Sequence, residues 1–208
     1  MSGVRDAFLA CAAAARPVVA LTAVGDRWRE PSALAEMSVG ALAAHLVRAV
    51  TNVDRFLAAG PPDAQGPQTS AAEYFAMVNA DLASELNVRV RHTAEEEALV
   101  GHRAVVGQLD RALERLRSRL PAEPADRLVA VRERPIPLDE YLRTRLIELT
   151  LHVDDLAVTC GVPTPDLPGM DVAIATLIEV AELRHGRLAV LRALGRRERD
   201  PDQVLRIL

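Results

Sequence analysis

The chain has 208 residues, half of them apolar and 26% charged, which is the composition of a globular protein and excludes a disordered one. Only 3% of the residues are aromatic, so the core must be built mainly from alanine, leucine and valine. The net charge of −4 gives no electrostatic reason to expect a nucleic acid partner. We expect one domain over residues 1–208, with a C-terminal extension from about residue 196.

The sequence also indicates a cytoplasmic protein without a membrane partner. All 25 basic residues are arginine, which together with the abundance of alanine is typical of a GC-rich bacterial genome. Cys11 and Cys160 form no motif and are expected to be free thiols. No segment has the basic start, apolar middle and cleavage site of a secretion signal. The apolar run over residues 7–21 contains Arg16 and Pro17 and is too short to span a bilayer.

Apolar residues recur at helical spacing along most of the chain. Helices are predicted over residues 2–24, 39–59, 71–80, 82–120, 138–161 and 171–194. Ser2 is predicted to cap the first helix, and Pro17 to kink or break it. Ser38 is predicted to cap the second helix, which ends at Gly60.

The second half of the chain adds one short extended segment to the helices. The helix over residues 82–120 is expected to be interrupted near residues 88–92. Apolar and charged residues alternate over residues 128–134 and predict a strand or an extended arm. The charged tail after residue 195 ends in apolar residues suited to docking on the body of the protein. The number of helices and their short connections predict an all-α antiparallel bundle.

One stripe of ionisable residues lies within the apolar helix over residues 138–161. Arg145, Glu148, His152 and Asp155 follow one another at spacings of three, four and three, which places them on one side of a helix. Leucine, isoleucine and valine occupy most of the remaining circumference. The helix is therefore predicted to be buried on several sides, with part of the stripe buried as well.

Burial of such a stripe favours either a metal site or a polar network, because an unpartnered buried charge costs several kcal/mol. Glu148 and His152 can converge on one ion from one helix, and His45 lies on the core face of the second helix. Two histidines and one carboxylate are a common ligand set for zinc or ferrous iron. Two simpler interpretations remain open: His45 is a core histidine with one hydrogen bond, and Glu148 forms an ordinary ion pair with Arg145 or His152.

Two blocks of sequence resemble one known family. The first, WREPSALAEMSVGALAAHLVRAV over residues 28–50, is similar to a W-x-x-P-S stretch followed by a V-G-x-L-x-x-H-L helix. The second, RTRLIELTLHVDDLAVTCGVP over residues 143–163, is similar to an R-x-x-E-x-x-x-H-x-x-D-L helix. Together they resemble the DinB-like, mycothiol-dependent maleylpyruvate isomerase N-terminal family, up to about residue 195.

The resemblance implies an up-down-down-up four-helix bundle, followed here by an additional C-terminal helix. It also implies a divalent metal held by His45, Glu148 and His152, with zinc as the expected ion and nickel or iron as alternatives. Asp155 and Arg145 would support the ligands or contact substrate, although Asp155 also fits a surface or capping carboxylate. Mycothiol is the implied thiol co-substrate. The sequence assigns no catalytic acid or base.

Two departures from the family pattern bear on the substrate. Met37 stands where the family often has tryptophan, at a position expected to pack at the mouth of the site. Maleylpyruvate isomerase also has a further C-terminal domain that contributes to its active site, whereas this sequence ends at Leu208. We therefore expect a substrate other than maleylpyruvate.

The functional prediction is a metal-dependent, mycothiol-using transferase or isomerase that acts on a small electrophile. The alternatives are a non-catalytic, metal-stabilised bundle that binds a protein partner, and a metal-dependent hydrolase. His92, His102 and His185 lie in charged contexts and are predicted to be solvated, as are the three glutamates at residues 95–97. The apolar face of the last helix either completes the bundle or forms a homodimer contact.

Overall fold

The computed structural model describes residues 3–62, 66–77, 83–131, 134–198 and 201–207. In chain order its helices are α1 Val4–Val19, α2 Thr22–Asp26, α3 Val39–Ala58, α4 Ala71–Ala76, α5 Glu85–Ala98, α6 His102–Arg119, α7 Leu138–Cys160, α8 Met170–His185, α9 Arg187–Gly195 and α10 Asp202–Leu205. Between α6 and α7 the chain forms a 3₁₀ turn and a hairpin of two strands, β1 Leu128–Val131 and β2 Arg134–Pro137.

Helices α1, α3, α6 and α7 pack around one apolar core, and contacts near their ends fix their directions. Arg5, at the start of α1, donates to Asp139 at the start of α7 and to the carbonyl of Leu120 beyond the end of α6. α1 is therefore parallel to α7 and antiparallel to α6. Leu57, near the end of α3, accepts from Arg119 at the end of α6, so these two helices are parallel. The predicted all-α, up-down-down-up bundle is confirmed, whereas the single-domain organisation stays a prediction.

The caps of two central helices follow the sequence signals. The Ser38 hydroxyl accepts from the backbone N–H of Ala41, which satisfies one of the free donors at the start of α3. Gly161 ends α7 in the left-handed conformation, with φ of 67°, which glycine adopts without the steric cost of a Cβ. The predicted Ser2 cap lies outside the described residues.

The break expected at Pro17 comes slightly later, at residues 20–21, whereas the interruption expected near residues 88–92 is wrong in position. α1 continues past Pro17 to Val19, and α2 begins only at Thr22. The expected interruption near residues 88–92 lies inside the continuous α5, and the break comes at residues 99–101 instead. There Gly101 has φ of 86°, a backbone conformation that residues with a Cβ rarely adopt.

The C-terminal helices also depart from the prediction. The predicted helix over residues 171–194 is divided at Gly186, which has φ of 83°. The tail docks on the body: Ile207 is buried, and its carbonyl accepts from Arg184 in α8. Ile207 belongs to a second apolar cluster that includes Phe75 of α4. No helix within the described part of the chain is long and apolar enough to cross a membrane.

The extended segment forms a hairpin in the described residues. Val129 in β1 pairs with Ile136 in β2, and both side chains are buried in the core. The predicted strand over residues 128–134 thus includes β1 and the first residue of β2, with residues 132–133 outside the described part. Cys11 and Cys160 are free thiols, as predicted, and burial raises the pKa of Cys11 to about 12.

Trp28 fixes the start of α3 against α5 and α6. Its indole N–H donates to the carbonyl of Ala98 at 3.1 Å, and its ring lies 5.4 Å from that of His102. The ring also packs directly on Gly40, where an added Cβ would lie 2.6 Å from the indole. Gly40 is therefore required by packing rather than by backbone conformation.

We predict that Gly40→Ala lowers the free energy of unfolding by about 1–3 kcal/mol, because the anchored indole must move. The control is Gly107→Ala in α6, where the nearest atoms to an added Cβ belong to the flexible Arg111 side chain at 3.2 Å. That change should leave the free energy unchanged or raise it by about 0.5–1 kcal/mol through helix propensity. Urea denaturation of both variants provides the comparison, and equal effects would contradict this role of Trp28.

Candidate metal centre

The antiparallel packing of α3 against α7 brings His45 opposite Glu148 and His152. The Nε2 atom of His45 lies 3.3 Å from Oε2 of Glu148, and Nε2 of His152 lies 3.1 Å from the same oxygen. One donor atom from each of the three residues lies within 4.8 Å of the others. Ligand atoms about 2.1 Å from a tetrahedral zinc ion are roughly 3.4 Å apart. The spacing and the donor types therefore fit a divalent cation.

The cluster is largely buried but not sealed. The side chains of His45 and His152 are each 14% exposed, and that of Glu148 is 21% exposed. The two imidazole rings meet edge to face, with centroids 4.7 Å apart. Part of the stripe on α7 is therefore buried, as predicted, and a small part of the cluster still contacts solvent.

Glu148 is the acceptor on which the cluster converges. Burial by itself raises the pKa of this carboxyl group, but hydrogen bonds from His152 and His45 and the charge of Arg145 outweigh burial. The pKa of Glu148 consequently lies well below its ordinary value. Oε1 faces Arg145 Nη2 at 3.7 Å, whereas Oε2 faces the two histidines. The two oxygens thus have different partners.

Arg145 lies behind Glu148, in the interior. Its guanidinium stacks over the ring of Tyr141 with 4.9 Å between Cζ and the ring centroid, and its Nε donates to the hydroxyl of Thr144. Burial opposes the charged form, but Tyr141, Glu148 and Tyr74 outweigh it and raise the pKa of Arg145. Of the two roles considered from the sequence, the contact with Glu148 is present in the structure.

Asp155 contacts the outer nitrogen of His152. Its Oδ2 lies 3.0 Å from Nδ1 of His152, while Nε2 of the same ring faces Glu148. Burial opposes protonation of this imidazole, but the hydrogen bonds with Asp155 and Glu148 outweigh burial and raise the pKa of His152 to about 9. A carboxylate in this position fixes the tautomer of a ligating histidine. The contact with His152 that the supporting interpretation of Asp155 requires is thus present.

His45 has a different environment. Burial lowers its pKa to about 4, although the hydrogen bond with Glu148 acts in the opposite direction. Its Nδ1 faces Nη2 of Arg48, one turn further along α3. Arg48 also forms an ion pair with Glu97 of α5 at 3.3 Å. Sequence reasoning missed Arg48, although its spacing of three from His45 was a usable signal.

Several residues assigned to the surface have structural roles instead. His102 is half-buried, and its Nε2 contacts the carbonyl of Val19 at 2.7 Å, so its predicted solvation is wrong. Glu95 accepts from both the backbone N–H and the hydroxyl of Ser38, which ties α5 to α3. Glu97 is partly buried beside Arg48. His92 and His185 are exposed, as predicted.

Met37 and the described surface clefts do not line the cluster. Met37 is 6% exposed and packs against Ala41 and Ala94 between α3 and α5, rather than at an open mouth. One cleft lies beside Trp28 and Ser38. A second lies near the α2 helix, and neither includes a residue of the cluster. The candidate site is thus a set of converging ligand atoms rather than a large cavity.

A comparison with protein-family models matches residues 8–157 to the mycothiol maleylpyruvate isomerase N-terminal domain, over more than half of the chain. The chain belongs to this family. The resemblance inferred from the two sequence blocks is thereby confirmed, although the matched region ends before α8. Comparisons with curated proteins and with solved structures give no match.

We predict that Asp155→Asn destabilises the metal-free protein in a pH-dependent way. Because the pKa of His152 rises from 6.5 to about 9 on folding, its pairing stabilises the folded chain fully below pH 6.5 and is lost as the pH rises through 9. The substitution should therefore lower the free energy of unfolding by about 1–3 kcal/mol at pH 6, and by less at pH 9.5.

Urea denaturation in the presence of a chelator measures this difference. The matched control is Asp154→Asn, since Asp154 is exposed and contacts Thr164 rather than a histidine. Its effect should not change over the same pH range. Identical pH profiles for the two variants would show that Asp155 does not stabilise charged His152.

Proposed function

We propose that this protein is a metal-dependent enzyme that uses a low-molecular-weight thiol, mycothiol, and acts as a transferase or isomerase on a small electrophilic substrate. The convergence of His45, Glu148 and His152 within 4.8 Å, in a chain of this family, is the observation that supports the proposal. Zinc is the ion that best suits two imidazoles and one carboxylate, with nickel and iron as alternatives.

The charge of the donor set favours an anionic co-substrate. Two neutral imidazoles and one carboxylate carry a single negative charge, so a bound dication leaves one positive charge at the site. When bound, the cation would ionise a coordinating thiol at neutral pH, at which a free thiol of pKa about 8.5 is mostly protonated. A thiolate also neutralises the remaining charge, which a neutral substrate does not.

The thiolate is a suitable nucleophile for two reaction types. In a transferase reaction, sulfur forms a bond to an electrophilic carbon, and the leaving group departs with the electron pair of the broken bond. In an isomerase reaction, sulfur adds to an activated double bond, the resulting single bond rotates, and sulfur then leaves with its electron pair. The thiol is consumed in the first reaction and regenerated in the second.

The chain's own residues hold the ligands in place. Arg145 contacts Oε1 of Glu148 and leaves Oε2 directed at the histidines. Asp155 accepts from Nδ1 of His152, which leaves Nε2 as the ligating atom of that ring. The partial burial of all three ligands limits competition from water, and electrostatic interactions are stronger there than in solvent.

We predict that the purified protein binds one zinc ion per chain and that His45→Ala, Glu148→Gln and His152→Ala each abolish this stoichiometry. Elemental mass spectrometry of protein purified without a metal-binding tag measures it. His92→Ala is the matched control, because the His92 side chain is 73% exposed and lies on α5. Loss of zinc in the control variant, or its retention in all three ligand variants, would argue against this site.

We further predict metal-dependent consumption of mycothiol with a halogenated arene or an activated alkene, and restoration of the reaction by zinc after chelation. Glu148→Gln should reduce the rate at least about 100-fold if the bound ion supplies the nucleophile. A higher melting temperature with zinc, but no reaction across a broad panel of electrophiles, would instead support the non-catalytic bundle. Ester or amide hydrolysis without thiol would support the hydrolase.

A further inference from the structure

The two histidines of the candidate centre differ in what faces their outer nitrogens. Nδ1 of His152 faces a carboxylate, Asp155, which accepts hydrogen bonds. Nδ1 of His45 faces Nη2 of Arg48, and a guanidinium has donors only. Arg48 therefore donates to Nδ1 of His45, which can carry no proton in this arrangement. The single proton of the neutral ring is then on Nε2, directed at Glu148.

This tautomer is incompatible with metal binding through Nε2. A neutral imidazole that binds an ion through Nε2 carries its proton on Nδ1, and that N–H normally donates to a carboxylate, a carbonyl or water. In His45 the proton would point at an N–H of Arg48, so two donors would face each other without an acceptor. His152 is thus arranged as a ligand, whereas His45 becomes one only after Arg48 moves.

Glu97 already forms an ion pair with Arg48 and can accept a further hydrogen bond from its guanidinium. Its Oε2 is buried and makes no hydrogen bond within the described residues, yet lies 3.3 Å from Nη1 of Arg48. The Nη2 atom that contacts His45 also lies 3.4 Å from the carbonyl of Val90 on the same helix as Glu97. A rotation of the guanidinium away from His45 would exchange one hydrogen bond for another and would satisfy the buried oxygen.

We propose that Arg48 is a positioning residue that controls the metal affinity of the centre. It holds His45 in the non-ligating tautomer in the metal-free protein and turns toward Glu97 when an ion binds. The inference rests on the proposed function for the presence of an ion, and adds a residue that the ligand set alone does not include. Its consequence is that wild-type affinity is lower than the three ligands would give with an acceptor behind His45.

Two substitutions of Arg48 separate the effect of its hydrogen bond to His45 on zinc affinity from the effect of its positive charge. Arg48→Gln and Arg48→Met both remove the guanidinium, but only glutamine provides an oxygen that accepts from Nδ1 of His45. Arg55→Gln is the charge control, because Arg55 is exposed on the same helix and its charge acts on Glu97. With zinc and a competing chelator, we expect Arg48→Gln to bind at least about 10-fold more tightly than the wild type. The zinc affinity of Arg48→Met should fall between those of the wild type and Arg48→Gln. That of Arg55→Gln should stay within about 3-fold of the wild type.

Nitrogen NMR of wild-type protein with labelled histidine tests the tautomer directly and does not depend on the stability of a variant. His45 should be protonated on Nε2 without zinc and on Nδ1 with zinc, whereas His152 should keep a proton on Nδ1 in both. A metal-free His45 protonated on Nδ1, or an affinity of Arg48→Gln no higher than that of Arg55→Gln, would overturn the role of Arg48. If neither the wild type nor any Arg48 variant binds zinc, the proposed function fails, and this inference with it.

Discussion

The carboxylate of Glu148 is the interaction on which the interior of this bundle depends. An isolated buried carboxylate costs several kcal/mol, and so does an isolated buried guanidinium such as that of Arg145. Each compensates the other, and the protonated His152 adds a second positive partner to the same carboxylate. Without Glu148, Arg145 and charged His152 would be like charges on one side of one helix. The polar stripe is therefore stable as a unit rather than residue by residue.

The apolar residues of α7 fix the position of the polar stripe. On the side of α7 next to the stripe, Leu142, Leu146, Leu149 and Val153 are completely buried and pack in the main core. This burial fixes the rotation of α7 about its own axis, because turning the helix would expose several large side chains. The same packing directs the stripe toward α3, where His45 lies between the buried Leu42 and Leu46. The core thus determines the position of the site.

The sequence predicted the parts of this structure that depend on a single helix. The helical spacing of apolar residues and the capping residues predicted the limits of α3 and α7. Spacings of three and four between ionisable residues predicted the polar stripe on α7. The prediction that His45 lies opposite that stripe required only that the core faces of α3 and α7 meet in a bundle. The helix breaks were less predictable, because Gly101 and Gly186 interrupt periodic segments, and glycine within a helix is often tolerated.

Contacts between helices were the harder part. Arg48 and Glu97 meet because α5 packs against α3, and no local pattern records that pairing. Three adjacent glutamates in a charged stretch favour a solvated face, yet Glu95 binds the Ser38 cap of α3 and Glu97 binds Arg48. The same limitation applies to His102, whose partners Trp28 and Val19 are distant in sequence. Long-range polar contacts of this kind depend on the register between helices, which apolar periodicity does not specify.

The charges around the cluster also connect the metal-free form to the proposed chemistry. Glu148, Asp155 and Glu97 are three carboxylates, and Arg145, Arg48 and protonated His152 are three cations, so the group is balanced without an ion. A ligating His152 must give up the proton on Nε2, so a dication replaces one positive charge with two. This surplus positive charge lies among largely buried side chains, where compensation by solvent is weak. An anionic ligand of single charge restores the balance, and for this reason we favour a thiolate over a neutral molecule as the species that completes the site.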